Sequence, residues 1–509
     1  MVDAKNTAAS EIRKSHDPIA KDPTSPQISE ISSREPAAKA PWWQFGKYTD
    51  EQRLVFKLDL FILSWACYGY FIRLLDTQNI VNAYVSGMKE DLGLYKDQYN
   101  WFGTLWTVGY TVGMIPSQTV LTYIPRPSFW LPGLEFLWAI ITFGFAAVNN
   151  YKQIYAMRLV IGLLESPFYI GAMTLLGNWY TPNGTFRLTP IPNTHLNLLA
   201  AVLELASRTT IFYSASFAAN MFSGYLQAAV YTGLDGAHGL AGWRWLFIMC
   251  GVISVPGALW GVFAVPDSPW NSKAFYLTEK ERDLARTRME NLGRQPFKGA
   301  KLSTLKNVVL SPFVWIYIFN YVTFCVSTNG TAYFPIYLKS RPKYSVQQVN
   351  VIPSGAYAVG LVATICWGQL SDRLQNRPWI IFGISFVSMV SGIVLATSST
   401  KGGIIAGYIL NCTTYAYGPI AIAYISEVFT NLPDERAFVL GCAQAFGGAF
   451  NAWVPLVAFN VATQAPLFRA GWTTTAAASG AQMLGVLGLR YFGTKILRQA
   501  AGKHSGSSV

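Results

Sequence analysis

DSPWNSKAFYLTEKERDLARTRMENLGRQPFKGAKLSTLKNVVL, residues 267–310, is a charged stretch set between two long apolar regions, and it decides how the chain folds. It carries nine Lys and Arg residues. Six apolar runs precede it, at 57–77, 98–120, 129–148, 153–177, 209–231 and 244–265. Six follow it, at 311–335, 350–370, 378–397, 403–426, 437–461 and 470–490. Each run is close to the roughly 20 apolar residues that a helix needs to cross the hydrocarbon core. In lipid, only helices and closed barrels satisfy their own backbone polar groups. The reading is an all-α membrane protein with 12 transmembrane helices arranged as two six-helix bundles.

The same division sets the expected domains. Residues 1–50 are polar and charged, which predicts a disordered cytosolic tail. They hold no apolar core of the kind a cleaved signal needs. Residues 51–266 form the first bundle, 267–310 a cytosolic loop, 311–492 the second bundle and 493–509 a cytosolic tail. Inside the loop, Thr278 and Glu281 have capping-box spacing, so a short surface helix is expected there.

Composition agrees. Of the 509 residues, 51% are hydrophobic and 13% charged, against about 25% charged in soluble proteins. The net charge of +13 is distributed by topology. With the N-terminus inside, 28 of the 39 Lys and Arg residues fall in cytoplasmic segments and eight in outer loops. The other three, Arg73, Arg158 and Arg244, lie within or at the edge of a span. This is the positive-inside pattern, and it argues against a nucleic-acid-binding patch. Aromatic residues near span ends (Trp101, Trp179, Tyr180, Trp243, Trp379) are expected to form interfacial belts. The six cysteines form no C-x-x-C pair and the four histidines are scattered, so neither a disulfide framework nor a metal site is expected. With no phosphate loop and no nucleophile–base set, the chain reads as neither an ATP-driven pump nor an enzyme, and no cofactor is implied.

One loop breaks the pattern of short connections. Removing Gly184–Leu203 joins Trp179-Tyr180-Thr181-Pro182-Asn183 to Glu204-Leu205-Ala206-Ser207-Arg208 and leaves a loop of ordinary length. The 20 residues read as an insertion from the gene model. The alternative is an interfacial helix with Leu196, Leu198, Leu199, Val202 and Leu203 on one face.

Charges within spans are expensive and point to function. Arg73 and Asp76 share a face of the first span. Arg158 and Glu165 lie two turns apart in the fourth, about 10 Å along the axis. A carboxylate in a dry cavity beside a guanidinium can change protonation when a substrate arrives. The guanidinium can hold a substrate carboxylate through paired hydrogen bonds. The competing reading is an Arg–Glu pair that only fixes packing. Span 7 has a polar, helix-weakening run through Asn320, Thr328, Asn329 and Gly330, span 10 has Asn411, Thr414, Tyr415 and Gly418, and span 11 has Gln444 and Asn451. Interrupted helices of this kind mark transporter sites near the midplane. Asn329, Tyr415 and Gln444 are the expected substrate contacts from the second bundle.

Gly368-Gln-Leu-Ser-Asp372-Arg373-Leu-Gln-Asn-Arg377 joins spans 8 and 9 and resembles the G-x-L-x-D-R-x-x-x-R loop of the major facilitator superfamily. That resemblance implies that Asp372, Arg373 and Arg377 belong to a gate. The first-half counterpart, Gly113 to Arg126, lacks the Asp. Four further stretches, Leu75 to Leu92, Arg158 to Pro167 (RLVIGLLESP), WYTP and Gly242 to Ile248 (GWRWLFI), resemble the anion:cation symporter family. The likeness is to its fungal pantothenate, allantoate and vitamin permease branch. The resemblance implies proton-coupled uptake of a small organic anion, such as pantothenate, by a plasma-membrane carrier, expected to be a monomer, and the positive-inside pattern places both termini in the cytoplasm. It implies Glu165 and Asp76 as proton carriers and Arg158 as an anion contact. Thr77 stands where related symporters have a span-1 Arg, and Arg73, a turn earlier, is the candidate substitute. An exporter of an acidic metabolite and a transporter-like nutrient sensor are the alternatives.

Overall fold

Thr49 starts the first helix, and its cap shows why the helix begins before the apolar run does. The Gln52 N–H donates to Thr49 Oγ1, and the Thr49 N–H donates to Gln52 Oε1. The helix, α1, then runs Asp50–Asp91. Its opening turns, Asp50–Leu58, are amphipathic and bury Leu54, Val55 and Leu58. Near its end Ser86 and Gly87 leave helical geometry, with Gly87 at φ +117°, a region glycine reaches without a Cβ clash.

The computed structural model describes residues 49–123, 126–181, 204–291, 309–374, 376–429 and 433–505. The proposed insertion 184–203 and the tail residues 1–48 lie outside them. The remaining long helices are α2 (Gln98–Tyr123), α3 (Pro127–Gly144), α4 (Tyr151–Trp179), α5 (Glu204–Leu234) and α6 (Gly242–Ala264). The second set is α7 (Pro312–Thr328), α8 (Val346–Leu374), α9 (Arg377–Thr397), α10a (Lys401–Cys412) with α10b (Tyr417–Val428), α11 (Pro433–Ala458) and α12 (Arg469–Ser505). Seven helices among the described residues are long and apolar enough to cross a membrane by length and composition alone. The others fall short for local reasons. A 3-10 turn, Asn329–Tyr333, interrupts α7 before Phe334–Lys339. Thr413–Ala416 separates α10a from α10b. Ser, Thr, Asn and Gln dilute α2, α5 and α12. The first interruption falls in the run of span 7 read as helix-weakening, and the second among the polar residues noted in span 10.

The packing repeats between halves. In the first half α2 packs on α4, α3 on α6, and α1 on α5 and α6. In the second, α8 packs on α10, α9 on α12, and α7 on α11 and α12. The halves meet where α2 lies along α11 and α5 along α8. Close crossings rely on small residues, as helix contacts in lipid generally do. At the α2–α4 crossing a Cβ on Gly109 would collide with the Leu159 carbonyl, and one on Gly162 with the Trp106 carbonyl.

The short helix Glu279–Glu290 starts with the expected capping box. It docks on α1 through Lys57–Glu281 at 2.8 Å and Glu51–Arg288 at 3.1 Å. Beside it, Arg208 grips Asp59 with two bonds of 2.9 and 2.6 Å. Towards the opposite end, hydrogen bonds join the halves. Asn100 Nδ2 donates to Tyr333 Oη, Pro455 O and Phe459 O at 3.1, 3.0 and 2.9 Å, and Asn100 Oδ1 accepts from the Val461 N–H. Thr104 Oγ1 donates to Ala452 O at 2.7 Å, and Lys339 pairs with Glu90 at 2.7 Å.

The aromatic belt expectation needs correction. Trp101 and Trp379 are partly exposed, but Trp179, Tyr180 and Trp243 are fully buried. Trp179 donates to the Asp267 carbonyl and Trp243 to Asp91, so hydrogen bonding within the protein fixes both indoles.

Candidate substrate and proton site

The charged residues of α1 and α4 come together, but not in the pairs that spacing along one helix suggests. Arg73 Nε lies 3.5 Å from Glu165 Oε2, an ion pair between α1 and α4. Arg73 is 7% exposed and Glu165 fully buried. Trp106 Nε1 of α2 donates to the same Glu165 oxygen at 3.1 Å. Asp76 lies on the face it shares with Arg73 and accepts from Thr142 Oγ1 of α3 at 3.3 Å. Arg158 donates from Nε to the Phe102 carbonyl at 3.2 Å.

Aromatic rings wall the cluster. The Arg73 guanidinium stands 4.6 Å from the centre of the Tyr110 ring and 5.7 Å from that of Trp106. Arg158 lies 5.6 Å from the same indole. Trp106 thus touches both cations while bonding the carboxylate, and each cation gains from the face of the ring. From Tyr70, which stacks on Phe212 at 4.5 Å, ring contacts run on to Tyr169 and Tyr213.

The polar groups are incompletely satisfied. Arg73 Nε, Asp76 Oδ1 and Glu165 Oε1 have no hydrogen-bond partner among the described residues. Buried polar atoms are normally paired, and exceptions of this kind suit a site that takes on a ligand or a proton.

The second-half candidates have partners of their own. Asn329 Nδ2 donates to Asn451 Oδ1 at 3.1 Å. The hydroxyls of Tyr415 and Thr331 lie 2.6 Å apart. Gln444 is partly buried on α11. Phe217 of α5 packs edge-on against Tyr415, linking the two halves at this level. At the loop between α8 and α9, Arg377 donates to Glu427 at 2.6 Å and to Ser371 at 3.3 Å. Arg373 is exposed, and the Asp372 side chain lies outside the described residues.

The sequence reading does not single out Glu135 of α3, which is fully buried, or Asp59, which is a quarter exposed and locked to the buried Arg208. Glu135 was open to the same rule that singled out Glu165, a charge inside an apolar span. Asp59, close to the start of a span, carries no such signal, because its partner is on another helix.

Comparison with known proteins decides the family. A family model described as Major Facilitator Superfamily matches residues 66–455. The chain belongs to that superfamily. It is a multi-pass membrane transporter and not an enzyme. The transporter is 33% identical over 442 residues to MFS transporter PfmaC of Pestalotiopsis fici, covering 86% of this chain and 79% of the relative. It is 31% identical over 440 residues to a protein named Pantothenate transporter liz1 of Schizosaccharomyces pombe, covering 85% and 80%. Among solved structures, the crystal structure of a D-xylose-proton symporter superposes with a TM-score of 0.59 at 12% identity, over 84% of this chain and 97% of that one. That likeness is one of fold. The relatives bear out the resemblance to the fungal pantothenate branch.

Proposed function

We propose that this transporter couples protons to the uptake of a small organic anion, pantothenate or a related vitamin carboxylate, by alternating access. Residues 51–266 and 311–492 are the two bundles that rock about the site. The carrier works as a monomer in the plasma membrane, with both termini in the cytoplasm, the orientation favoured by the Lys and Arg distribution.

The observation that carries the reading is the buried Arg73–Glu165 pair. A substrate carboxylate that enters engages the Arg73 guanidinium through its paired donors and displaces Glu165. The released Glu165 carboxylate, buried and without its cation, takes a proton instead. Anion and proton therefore bind together, and the loaded site carries no extra buried charge when the bundles rock. Asp76 is the second proton carrier. Arg158, which shares the Trp106 ring with Arg73, adds positive potential for the anion. Asn329, Tyr415 and Gln444 take the far end of the substrate from the second half. Asp372, Arg373 and Arg377 latch the gate, with Arg377 anchored on Glu427. The name of a relative at 31% identity supports pantothenate as the substrate.

The test is uptake of labelled pantothenate into cells lacking their own carrier, at acid and neutral external pH, with and without a protonophore. Faster uptake in acid that collapses with the protonophore supports the reading. Uptake indifferent to both rejects the proton coupling, and no uptake by surface-resident protein rejects the substrate.

A further inference from the structure

Glu135 has no part in the site described above. It sits where α1, α3 and α6 pack together. Trp65 Nε1 of α1 donates to Glu135 Oε2 at 2.8 Å. Glu135 Oε1 has no hydrogen-bond partner among the described residues. The space around that oxygen is tight. An added Cβ on Gly69 of α1 would lie 3.1 Å from it, and one on Gly257 of α6 3.4 Å. Phe168 of α4 lies next to it, against Gly69 and Trp65.

Among the described residues Glu135 forms no ion pair. The titratable side chain facing it from α1 is Tyr68, whose hydroxyl is committed to the Ile253 carbonyl of α6 at 2.8 Å. The neighbouring side chain of α4 is Phe168, and α6 presents Gly257. A lone carboxylate held charged in such a place is costly, and binding a proton removes the charge without moving a helix.

Its position along the fold is informative. On α3, Glu135 and Thr142 share the buried face, and Thr142 donates to Asp76. Seven residues of helix separate them, roughly 10 Å. On α1, Trp65 precedes Asp76 by eleven residues, roughly 16 Å. Glu135 therefore lies between the Asp76 level and the end that holds Glu279–Glu290. On α6, Cys250, Ser254 and Gly257 face the same seam, with Cys250 accepting from Asn79.

We infer that Glu135 is an additional proton-binding carboxylate of the transport cycle, set between the central site and the Glu279–Glu290 end, which is the release side for uptake. It takes one proton on Oε1 and returns it to water, while Oε2 keeps the indole N–H in both states. This inference rests on the proton-coupled reading above.

The experiment compares Glu135→Gln and Glu135→Asp with wild type in proteoliposomes, using labelled pantothenate. Two rates are read over a pH series: net uptake driven by a proton gradient, and exchange with pantothenate on both sides. Gln keeps the shape and an acceptor for Trp65 but cannot titrate, whereas Asp is shorter but can. The expected result is net uptake down about tenfold or more in Glu135→Gln, with a flattened pH profile and exchange within about twofold of wild type. Glu135→Asp should restore part of the net uptake. Gln equal to wild type in both assays, equal loss of both rates, or Gln outperforming Asp in net uptake would each overturn the inference, because the carboxyl then only packs. Wild-type uptake without pH dependence would overturn the coupling reading, and this inference with it. A pH-dependent wild type with an unaffected Gln variant rejects the inference alone.

Discussion

Arg73 and Glu165 face each other 3.5 Å apart across the α1–α4 contact, both buried, with the Trp106 indole bonded to the same carboxylate oxygen. A pair made wholly of charges buried in a bundle is costly to assemble. Its components are also the ones an anion and a proton would engage. The predictions below follow from this arrangement and from the contacts that hold it in place.

Arg73→Lys keeps the charge and loses the planar fork and its stacking on Tyr110. Losing a charge-assisted hydrogen bond of about 1.5–3 kcal/mol should raise the half-saturation concentration for pantothenate roughly tenfold or more. The maximal rate should change less. Initial-rate uptake across a concentration series checks it, and an unchanged half-saturation value with a lower maximal rate would move Arg73 out of the anion contact.

Asn100→Ala should weaken the end of the molecule where hydrogen bonds join the two halves. One buried amide bridges Tyr333, Pro455, Phe459 and Val461, and its loss strands several backbone groups. The expected cost is about 1–3 kcal/mol, enough to shift the balance between the two access states roughly tenfold. A cysteine placed at Thr104, itself bonded to Ala452 across the halves, should be alkylated faster in this background. Equal alkylation rates would show that the Asn100 bonds do not set the equilibrium.

Gly162→Leu places a side chain against the Trp106 backbone, where a Cβ alone already collides. Overpacking there should cost about 3 kcal/mol or more and displace Trp106 from Arg73 and Glu165. Thermal melting in detergent should show a large drop, with Gly162→Ala intermediate. A fully stable Leu variant would mean that the crossing can spread without harm.

The docking of Glu279–Glu290 on α1 should depend on pH through Glu281. Partial burial works against its charge, but the Lys57 ammonium and the Thr278 backbone N–H and hydroxyl outweigh this and hold the carboxyl below its ordinary value of 4.5. A group whose value is lowered by folding stabilises the docked state above that ordinary value. The contribution disappears as pH falls through the lowered folded value. Because Lys57 is about a third exposed, solvent screening keeps the effect under about 1 kcal/mol. Hydrogen exchange in the helix should rise in Glu281→Gln at neutral pH and match wild type in strong acid. A difference that persists in acid would assign the docking to other contacts.

Much of the fold is legible in the order of residues. The charged 267–310 stretch, the twelve apolar runs and the helix-weakening turns in α7 and α10 all have local causes, and local causes leave local signals. The capping box at Thr278 is of the same kind. The start of α1 was misjudged because Asp50–Leu58 is amphipathic and too polar to register as a span. The site was legible as an inventory and not as a set of partners. Helical spacing tells which residues share a face, so it grouped Arg73 with Asp76 and Arg158 with Glu165. The partners are chosen by packing between helices, which joins Arg73 to Glu165 and Asp76 to Thr142. For the same reason Trp179 and Trp243 read as belt residues although each is buried against a neighbouring segment.

The central claim is that an anion displaces Glu165 from Arg73 and a proton follows. The most direct test is the pH dependence of pantothenate affinity, measured by equilibrium binding to purified wild type and Glu165→Gln. The account predicts that wild-type affinity weakens as pH rises, and that the Gln variant, which stands in for the protonated carboxyl, keeps only the smaller pH dependence that Asp76 contributes. A Glu165→Gln variant that binds with the wild-type pH dependence would contradict it.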